Sequence, residues 1–459
     1  MNKNIFREYD IRGIAENDLN NDSVVEIAAA YATLIQDFNS NSVLIGRDCR
    51  LSSNRIFDIF ASTLIDHGVR VVDIGIITTP ILYFAVNNYD IDAGVMITAS
   101  HNPPEYNGFK TMVGKEVLSS AQIQKLYEII LSKSFAPKSK KKNSIEKLNV
   151  LDDYIEDITD NINLNKKIKL GVDCANTPIG GFVESVFNKL ECEAVTLFDE
   201  PDGSFPNHHP DPSVESNLTE LKKTVVKNKL DFGIAFDGDG DRIGVVDDKG
   251  NYINSDIILL ILAKSILFNN PGATIIGEVK CSKVLFEEIK SLGGNPIMWK
   301  TGHSNIKEKI KNAKAILAGE LSGHIFFKDK HYGYDDALYA ALRISEVLSN
   351  TNIKLSDIID KIPKRISTPE IRIDYSEENK FKLIKSLKKE IINDIRDYDI
   401  NEIDGIRIEN KNSWALIRAS NTQPALTLRF ESNSIENLNS IKEFLSTKLN
   451  NLTGEKWKF

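Results

Sequence analysis

The stretch LDFGIAFDGDGDRIGVVD, residues 230–247, predicts two short strands joined by an acidic loop. Its two flanks are short apolar runs of the kind that form buried strands. Between them, glycine alternates with the carboxylates of Asp237, Asp239 and Asp241. Three oxygen ligands can converge there, because glycine lets the backbone bend tightly around a small hard cation. The sequence therefore predicts a metal site suited to Mg²⁺ in a loop between strands.

A calcium-binding EF-hand loop is one alternative for the acidic loop. That motif places glycine at its sixth position and glutamate at its twelfth, whereas this sequence has Arg242 and Asp248 there. The apolar flanks also favour strands over the two helices of an EF-hand. A solvated hairpin turn stays open as a second alternative, since Asp-Gly pairs are common in turns.

A second informative stretch, TASHNPP at residues 98–104, follows the apolar run 93–97, which is a predicted buried strand. In parallel α/β sheets, reactive groups gather beyond the carboxyl ends of the strands, where Ser100 would lie. A turn in which Ser100 only bonds neighbouring backbone groups is an equal alternative. His101 does not complete a hydrolase triad, because the G-x-S-x-G nucleophile elbow is absent. A hydroxyl and a carboxylate cage together predict metal-assisted phosphoryl transfer.

The bulk composition excludes several function classes. The chain of 459 residues predicts about three domains, and its formal net charge of −8 offers no general attraction to nucleic acid or anionic membranes. The lysine-rich stretch 137–144 lacks aromatic partners, so we interpret it as a solvated loop near a domain boundary. No apolar run approaches the ~20 residues that span a bilayer, which predicts a cytoplasmic protein. The cysteines are widely spaced, as is typical of reduced thiols: Cys49, Cys174, Cys192 and Cys281.

Helix and strand patterns alternate along most of the chain. Ser23 and Glu26 have the spacing of a capping box ahead of a helical face that reaches Ile35. This α/β rhythm recurs until about Lys364, after which the pattern suits an antiparallel sheet with strands at 414–417 and 425–430. The predicted fold class is α/β, with three consecutive α/β mixed-sheet domains plus a smaller C-terminal α+β domain. The predicted domains are 1–146, 147–250, 251–364 and 365–459.

The serine and acidic stretches resemble the phosphoserine loop and the metal loop of the α-D-phosphohexomutases. The phosphomannomutase/phosphoglucomutase branch is the most similar. Further motifs follow in the order expected for that family: FREYDIRG at 6–13, KTGHS at 300–304, GELSGH at 319–324 and RASNTQP at 418–424. The resemblance implies four domains around a central active-site cleft, each contributing one loop.

The resemblance also implies an activity, the interconversion of hexose 6-phosphate and hexose 1-phosphate, with mannose and glucose as the sugars. A phosphoserine would pass its phosphoryl group through a hexose 1,6-bisphosphate intermediate, and glucose 1,6-bisphosphate would act as activator. The expected ligands of Mg²⁺ are Ser100, Asp237, Asp239 and Asp241. The expected catalytic residues are Ser100, His101, Lys110, Arg12 and His324. The expected substrate-binding residues are Tyr9, Arg242, Lys280, His303, Glu320, Ser322, Arg418, Ser420, Asn421 and Thr422.

Two of these loops can also be interpreted from their chemistry. The stretch 418–424 offers a guanidinium, hydroxyls, an amide and backbone N–H groups, which suit a phosphate dianion, although a polar hairpin loop is the alternative. Glu320 and Ser322 are good partners for adjacent sugar hydroxyls, and the matching residues of the family contact O3 and O4. A lone buried glutamate is more often a structural ion-pair partner, so this role depends on the resemblance.

A phosphoglucosamine mutase is the nearest rival for the activity. That branch usually has proline after the arginine of the last loop and glutamine between Glu and Ser, where this sequence has Ala419 and Leu321. A metal-dependent phosphatase would need water to reach the phosphoserine, and a non-catalytic sensor would need a broken nucleophile or cage. The expected partners are phosphosugars, with no nucleic acid and no membrane, and the expected state is a monomer or weak homodimer.

Overall fold

The computed structural model describes residues 1–140, 144–392, 398–420 and 424–459. Within those ranges the chain forms four sheets. Each of the first three combines parallel and antiparallel pairs, whereas the fourth is antiparallel. The predicted fold class is therefore confirmed, while the domain boundaries stay predictions. No helix in the described ranges has the length and apolar character needed to cross a membrane.

The first unit is a sheet covered by helices. Its strands are β1 (Ile11–Ile14), β2 (Ser42–Arg47), β3 (Arg70–Ile76), β4 (Ala93–Ile97), β5 (Tyr106–Val113), β6 (Glu116–Val117) and β7 (Glu146–Lys147), and its helices are α1 (Asn21–Asp37), α2 (Ser53–Asp66), α3 (Thr79–Asn88) and α4 (Ser120–Ser132). The strand order is β1-β5-β4-β2-β3-β7, with β6 beside β5. Because β2, β3 and β4 are parallel, their carboxyl ends meet at one edge of the sheet.

The start of α1 differs from the prediction. Asn20 is its N-cap, and the Asn20 side chain accepts a hydrogen bond from the backbone amide of Ser23 at 3.0 Å. Glu26 pairs with Lys133, the residue that follows α4, instead of folding back on the helix start. The predicted capping box at Ser23 and Glu26 is therefore wrong, because the helix begins earlier and Ser23 lies within its first turn.

The second unit carries the acidic loop. Its strands are β8 (Lys169–Asp173), β9 (Glu193–Leu197), β10 (Phe232–Phe236), β11 (Ile243–Asp247) and β12 (Tyr252–Ile253), and its helices are α5 (Leu151–Asp160), α6 (Val183–Lys189) and α7 (Thr219–Asn228). The strand order is β12-β11-β10-β8-β9. The pair β10 and β11 is antiparallel and flanks the acidic loop, as the sequence predicts.

The third unit carries the GELSGH loop between β15 and β16. Its strands are β13 (Thr274–Glu278), β14 (Asn295–Trp299), β15 (Leu317–Gly319) and β16 (Ile325–Phe327), and its helices are α8 (Ser255–Asn269), α9 (Lys283–Ser291), α10 (His303–Ala313), α11 (Ala337–Ser349) and α12 (Leu355–Asp360). The strand order is β14-β13-β15-β16. The KTGHS stretch leads from β14 into α10, so both loops lie beside β13 and β15.

The fourth unit is the antiparallel sheet with two helices packed on it. Its strands are β17 (Ile366–Ser367), β18 (Ile371–Asp374), β19 (Asp399–Asn401), β20 (Ile406–Glu409), β21 (Ser413–Ala419) and β22 (Ala425–Ser432), and its helices are α13 (Lys380–Ile392) and α14 (Ile435–Thr453). The strand order is β17-β22-β21-β20-β19, with β18 beside β22. The two predicted central strands lie within β21 and β22, and the last motif joins them.

One apolar cluster contains residues of the first three units, the first unit has a second large cluster, and the fourth unit has a cluster of its own. The fourth unit is joined to the third by hydrogen bonds and by a small apolar cluster. Arg407 donates hydrogen bonds to the carbonyl oxygens of Val279 and Cys281 at 2.6 and 2.8 Å, and Trp414 packs against Val279. A junction of this kind can separate at less cost than a shared apolar core.

Candidate active site

Ser100 lies just beyond the carboxyl end of β4 and is 1% exposed. Its φ of 52° is in the left-handed region, which is uncommon for serine. Its Oγ atom donates a hydrogen bond to Asp237 Oδ2 at 2.7 Å, and His101 Nδ1 lies 3.2 Å from the same Oγ. The predicted nucleophile and the predicted metal loop, which come from different units, therefore meet in the fold.

The turn at Ser100 is held by Arg50, a buried residue that the sequence analysis did not select. Its Nη2 atom donates to the carbonyl oxygens of Ser100 and Asn102, each at 2.6 Å, and its Nη1 atom donates to Pro103 O at 2.6 Å. Asp48 pairs with the guanidinium at 3.1 Å. A signal for Arg50 existed in the sequence, because it follows β2, the parallel neighbour of β4.

Two glycines let the acidic loop pack directly against the Ser100 turn. A Cβ atom at Gly238 would stand 2.0 Å from the carbonyl oxygen of Ser100, and one at Gly240 would stand 2.8 Å from Thr78 Cγ2. Gly240 also has a φ of 73°, which residues with side chains rarely adopt. The glycines of the acidic loop therefore permit close contact between two units as well as bending.

The carboxylates of Asp237, Asp239 and Asp241 are fully buried, and one oxygen of each lies within 4.8 Å of the others. Among the described atoms, Asp239 Oδ1 and Asp241 Oδ1 have no hydrogen-bond partner. Burial raises the pKa of Asp237 well above its usual range, and the carboxylates of Asp241 and Asp239 raise it further. Buried like charges of this kind are unfavourable unless a cation joins them. These hard oxygen donors fit Mg²⁺.

Lys110 on β5 supplies a positive charge to these carboxylates. Its Nζ atom lies 2.6 Å from Asp239 Oδ2 and also contacts Asp241 Oδ2. Burial lowers the pKa of Lys110, but the two carboxylates outweigh burial and hold the pKa well above its usual value. Lys110, one of the expected catalytic residues, thus lies against the acidic loop.

Arg12 reaches the Ser100 turn from β1. Its Nη1 atom donates to Asn102 Oδ1 at 2.7 Å, and its Nη2 atom donates to Asp10 Oδ2 at 2.5 Å. Desolvation lowers the pKa of the neighbouring His101 well below its usual value, and the charges of Arg242 and Arg12 lower it further. The surroundings of His101 thus favour the neutral ring, whose Nδ1 atom faces Ser100 Oγ.

Arg242 links the acidic loop to the GELSGH loop. Its Nε atom donates to His324 Nε2 at 2.9 Å and lies 3.9 Å from Asp237 Oδ2. The His324 ring stacks on His303 with 5.8 Å between centroids, and the Tyr9 ring meets His303 edge-on at 5.6 Å. The predicted aromatic residues of three separate motifs thus form one continuous row.

Glu320 and Ser322 lie in the turn between β15 and β16. Glu320 is 2% exposed, and its Oε1 atom accepts a hydrogen bond from the backbone amide of Gly302 at 2.6 Å. Burial raises the pKa of Glu320, and His324 opposes that shift. Ser322 is half-buried. A carboxylate and a hydroxyl are thus presented on one short turn, held in place by the KTGHS stretch.

Lys280 and Arg418 lie at the junction between the third and fourth units. Lys280 Nζ pairs with Glu370 Oε2 at 2.8 Å. Arg418 Nε donates to Asp404 Oδ2 at 3.0 Å, and the same oxygen accepts a hydrogen bond from the backbone amide of Thr301 at 3.0 Å. Asp404 thus connects the last motif to the KTGHS stretch.

Ser420 is buried, and its carbonyl oxygen accepts a hydrogen bond from Lys380 Nζ at 2.5 Å. Asn421 and Thr422 lie outside the described residues, and their phosphate contacts stay predictions. The other predicted residues lie on strands, loops or helix starts that contact one another, and their roles also stay predictions. Several charged groups around them were not predicted from the sequence: Arg50, Glu278, Lys307, Asp335, Glu370 and Asp404. Asp335 had a signal, since two adjacent acidic residues, Asp335 and Asp336, stand directly ahead of α11.

Family models match the chain in order along its length. Those described as phosphoglucomutase/phosphomannomutase, alpha/beta/alpha domains I, II and III match residues 3–137, 152–250 and 254–366, and the C-terminal domain matches residues 370–448. A phosphomannomutase/phosphoglucomutase of Pseudomonas syringae pv. tomato is 42% identical over 445 residues, covering 97% of this chain and 95% of that protein. A phosphoglucomutase/phosphomannomutase family protein from Burkholderia thailandensis has a TM-score of 0.93 at 37% identity, covering 100% of this chain and 99% of that one.

A more distant solved structure is the N-acetylphosphoglucosamine mutase of Aspergillus fumigatus in complex with GlcNAc-6P and magnesium. It has a TM-score of 0.61 at 14% identity, covering 97% of this chain and 95% of that one. At this identity the likeness extends to the fold alone. The full-length match to the bacterial proteins carries the family assignment.

Proposed function

We propose that Ser100 carries the phosphoryl group in the reaction of this chain, which belongs to the phosphoglucomutase/phosphomannomutase family. The chain is a phosphohexomutase, an isomerase of hexose phosphates. The hydrogen bond of 2.7 Å between Ser100 Oγ and Asp237 Oδ2 carries the proposal. A phosphoserine is stable only if its charge is neutralised, and the buried carboxylates beside Ser100 can hold the cation that does so. The matching motifs support the same role.

The proposed reaction starts with a hexose monophosphate bound opposite phosphorylated Ser100. The free sugar hydroxyl attacks the phosphorus atom and its proton passes to His324 Nε2. The bond from phosphorus to Ser100 Oγ breaks, and its electron pair stays on Oγ, which attacks in the return transfer. The resulting hexose 1,6-bisphosphate turns around and returns its other phosphoryl group to Ser100. The sugar oxygen that is released takes the proton back from His324.

We assign the metal site to Ser100, Asp237, Asp239 and Asp241. Bound there, Mg²⁺ would neutralise the charge of the phosphoryl group and of the transition state. The buried, unpartnered oxygens of Asp239 and Asp241 support this assignment. Lys110 and Arg12 add two positive charges from the first unit and orient the phosphoryl group for transfer.

We expect similar turnover of mannose 1-phosphate and glucose 1-phosphate. Glu320 and Ser322 would hydrogen-bond O3 and O4 of the sugar. Mannose and glucose differ only at C2, and none of the site residues named above is expected to contact C2. The values of kcat/KM should therefore agree within about tenfold, or ~1.4 kcal/mol of transition-state binding. Coupled assays with each substrate measure this ratio. A discrimination above roughly a thousandfold would mean that another contact reads C2.

The same assays distinguish a mutase from a phosphatase when released phosphate is measured alongside. A mutase yields hexose 6-phosphate with little free phosphate, because the phosphoryl group returns to Ser100. Phosphate released in step with substrate loss would show that water, and not a sugar hydroxyl, takes the group.

Arg418→Ala should weaken the grip on the non-reacting phosphate. We expect KM to rise by about 10- to 150-fold, the equivalent of lost charge-assisted hydrogen bonds of about 1.5 to 3 kcal/mol. The variant should also release bisphosphate before the second transfer and depend more on added glucose 1,6-bisphosphate. Steady-state kinetics with and without this activator, together with measurement of released bisphosphate, test both effects.

Arg70→Ala is a suitable control for Arg418→Ala, because Arg70 is an exposed arginine of the first unit that pairs with Glu146. It should leave KM and bisphosphate release unchanged. If Arg418→Ala behaves like this control, Arg418 is not the phosphate anchor.

The oligomeric state and the location of the protein stay predictions. Light scattering can test the predicted monomer or weak homodimer, and cell fractionation can test the predicted cytoplasmic location.

A further inference from the structure

The contacts of His324 define which of its ring nitrogens carries a proton. Arg242 Nε lies 2.9 Å from His324 Nε2. A guanidinium is always a donor in proteins, so His324 Nε2 must present its lone pair to Arg242. The neutral ring then carries its proton on Nδ1. His324 is 4% exposed, so its hydrogen bonds to the protein are not replaced freely by water.

His324 Nδ1 faces the carboxylate of Asp335. The distance from Nδ1 to Asp335 Oδ2 is 2.7 Å, although its angle falls short of a good hydrogen bond, and Asp241 Oδ1 lies farther away at 3.6 Å. An ionised carboxylate can only accept hydrogen bonds, so both oxygens near Nδ1 favour a proton on that nitrogen.

Asp335 is itself held in place. It is fully buried, and its other oxygen, Oδ1, pairs with Lys307 Nζ at 2.7 Å. Its backbone forms an antiparallel bridge with Phe326, and the next residue, Asp336, caps α11. The charge of Lys307 compensates the buried carboxylate, so Asp335 stays ionised beside His324 without a metal ion.

We propose that Asp335 is a positioning residue that fixes His324 as the Nδ1–H tautomer and leaves Nε2 free to accept the proton of the sugar hydroxyl. The inference rests on the proposed function, because it assumes that a sugar hydroxyl replaces Arg242 at Nε2. When the proton moves from that hydroxyl to Nε2, the ring becomes an imidazolium. Asp335 stabilises this charge through Nδ1–H without being protonated itself, and the proton later returns from Nε2 to the released sugar oxygen.

Asp335→Asn tests the proposal with a nearly unchanged side-chain shape. The amide oxygen should face the Lys307 ammonium, because an amide NH₂ group there would meet another donor. The NH₂ group must then point at His324 Nδ1, which becomes an acceptor, and the ring proton moves to Nε2, where it displaces the hydrogen bond from Arg242 Nε. We expect kcat to fall by about 10²- to 10⁴-fold with KM nearly unchanged, since Asp335 reaches the reaction only through His324.

Ring ¹⁵N chemical shifts report the tautomer directly. In labelled protein, the His324 signals are assigned by their loss in His324→Gln. We expect Nδ1–H in the parent and Nε2–H in Asp335→Asn. The parent spectrum does not depend on how the variant folds, and a parent His324 that carries its proton on Nε2 would by itself overturn the proposal.

Asp336→Asn is the matched control. Asp336 is an equally buried neighbour whose carboxylate accepts hydrogen bonds from the Tyr339 amide and the Tyr154 hydroxyl. This variant should leave kcat and the His324 signals unchanged, even if it unfolds at a lower temperature. A kcat of Asp335→Asn within threefold of the parent, or a loss of kcat with an unaltered tautomer, overturns the positioning role. Failure of the proposed function would look different. The parent enzyme would then have no mutase turnover, whatever tautomer of His324 the spectra show.

Discussion

The Ser100→Ala variant is expected to lose nearly all mutase turnover, with kcat falling by a factor on the order of 10⁴ or more. The change removes the only atom of residue 100 that can hold a phosphoryl group and leaves the rest of the turn in place. The sugar phosphate should still bind, because Glu320, Ser322 and Arg418 belong to the third and fourth units and lie outside the Ser100 turn. Steady-state kinetics and equilibrium binding of glucose 1-phosphate measure the two effects separately.

Ser119→Ala provides the control for this substitution. Ser119 is the exposed N-cap of α4, so its loss should lower stability by about 1 kcal/mol without changing turnover. Near-normal turnover in Ser100→Ala would refute the assignment of Ser100 as the phosphoryl carrier. Loss of sugar-phosphate binding together with turnover would mean that the Ser100 turn also shapes the sugar site.

Asp237→Asn is expected to lower kcat by about 10²- to 10⁴-fold, because an amide supplies less charge to Mg²⁺ than a carboxylate and several kcal/mol of transition-state stabilisation depend on that ion. The amide oxygen can still accept the hydrogen bonds that Asp237 Oδ1 receives from the backbone amides of Asp241 and Arg242. Without metal, the variant should be at least as stable as the parent, since it removes one of three buried like charges.

Thermal unfolding with and without Mg²⁺ distinguishes this explanation from a folding defect. The parent should gain stability from bound metal, by about 2.7 kcal/mol at a hundredfold excess over Kd, and Asp237→Asn should gain much less. Asp247→Asn is the control, because Asp247 lies at the far end of β11 in the turn with Lys249 and Asn251. Equal metal-dependent stabilisation of Asp237→Asn and the parent would rule out Asp237 as a ligand.

Some elements could be predicted from the sequence because local pattern and tertiary packing agree. Strand β4 coincides with the predicted run 93–97, where every side chain is buried and the pattern is continuous. The start of α1 was mispredicted, since Asn20 and Ser23 are both good caps and the position of the buried face decides between them. The short strand β18 alternates half-buried and exposed residues, a pattern too brief to distinguish from a loop.

Some residues of the candidate site could likewise be predicted from the sequence, and others could not. Ser100 and the acidic loop could be predicted because their chemistry is contained in short contiguous motifs. The positions of Asp335 and Arg50 gave a signal but their roles could not be predicted, since these depend on contacts with His324 and with the carbonyl oxygens of the Ser100 turn. Such contacts join residues that lie far apart or show no motif, so only the folded chain reveals them.

The most direct test of the phosphoryl-carrier role is to follow labelled phosphate from hexose 1,6-bisphosphate into the protein and out again. The enzyme is incubated with bisphosphate labelled at phosphorus, digested and mapped, and a second sample is chased with unlabelled hexose 6-phosphate. We predict up to one labelled phosphoryl group per chain, on the peptide that contains Ser100, and its transfer to sugar during the chase. Label on a different residue, or product formation without any label entering the protein, would contradict the account.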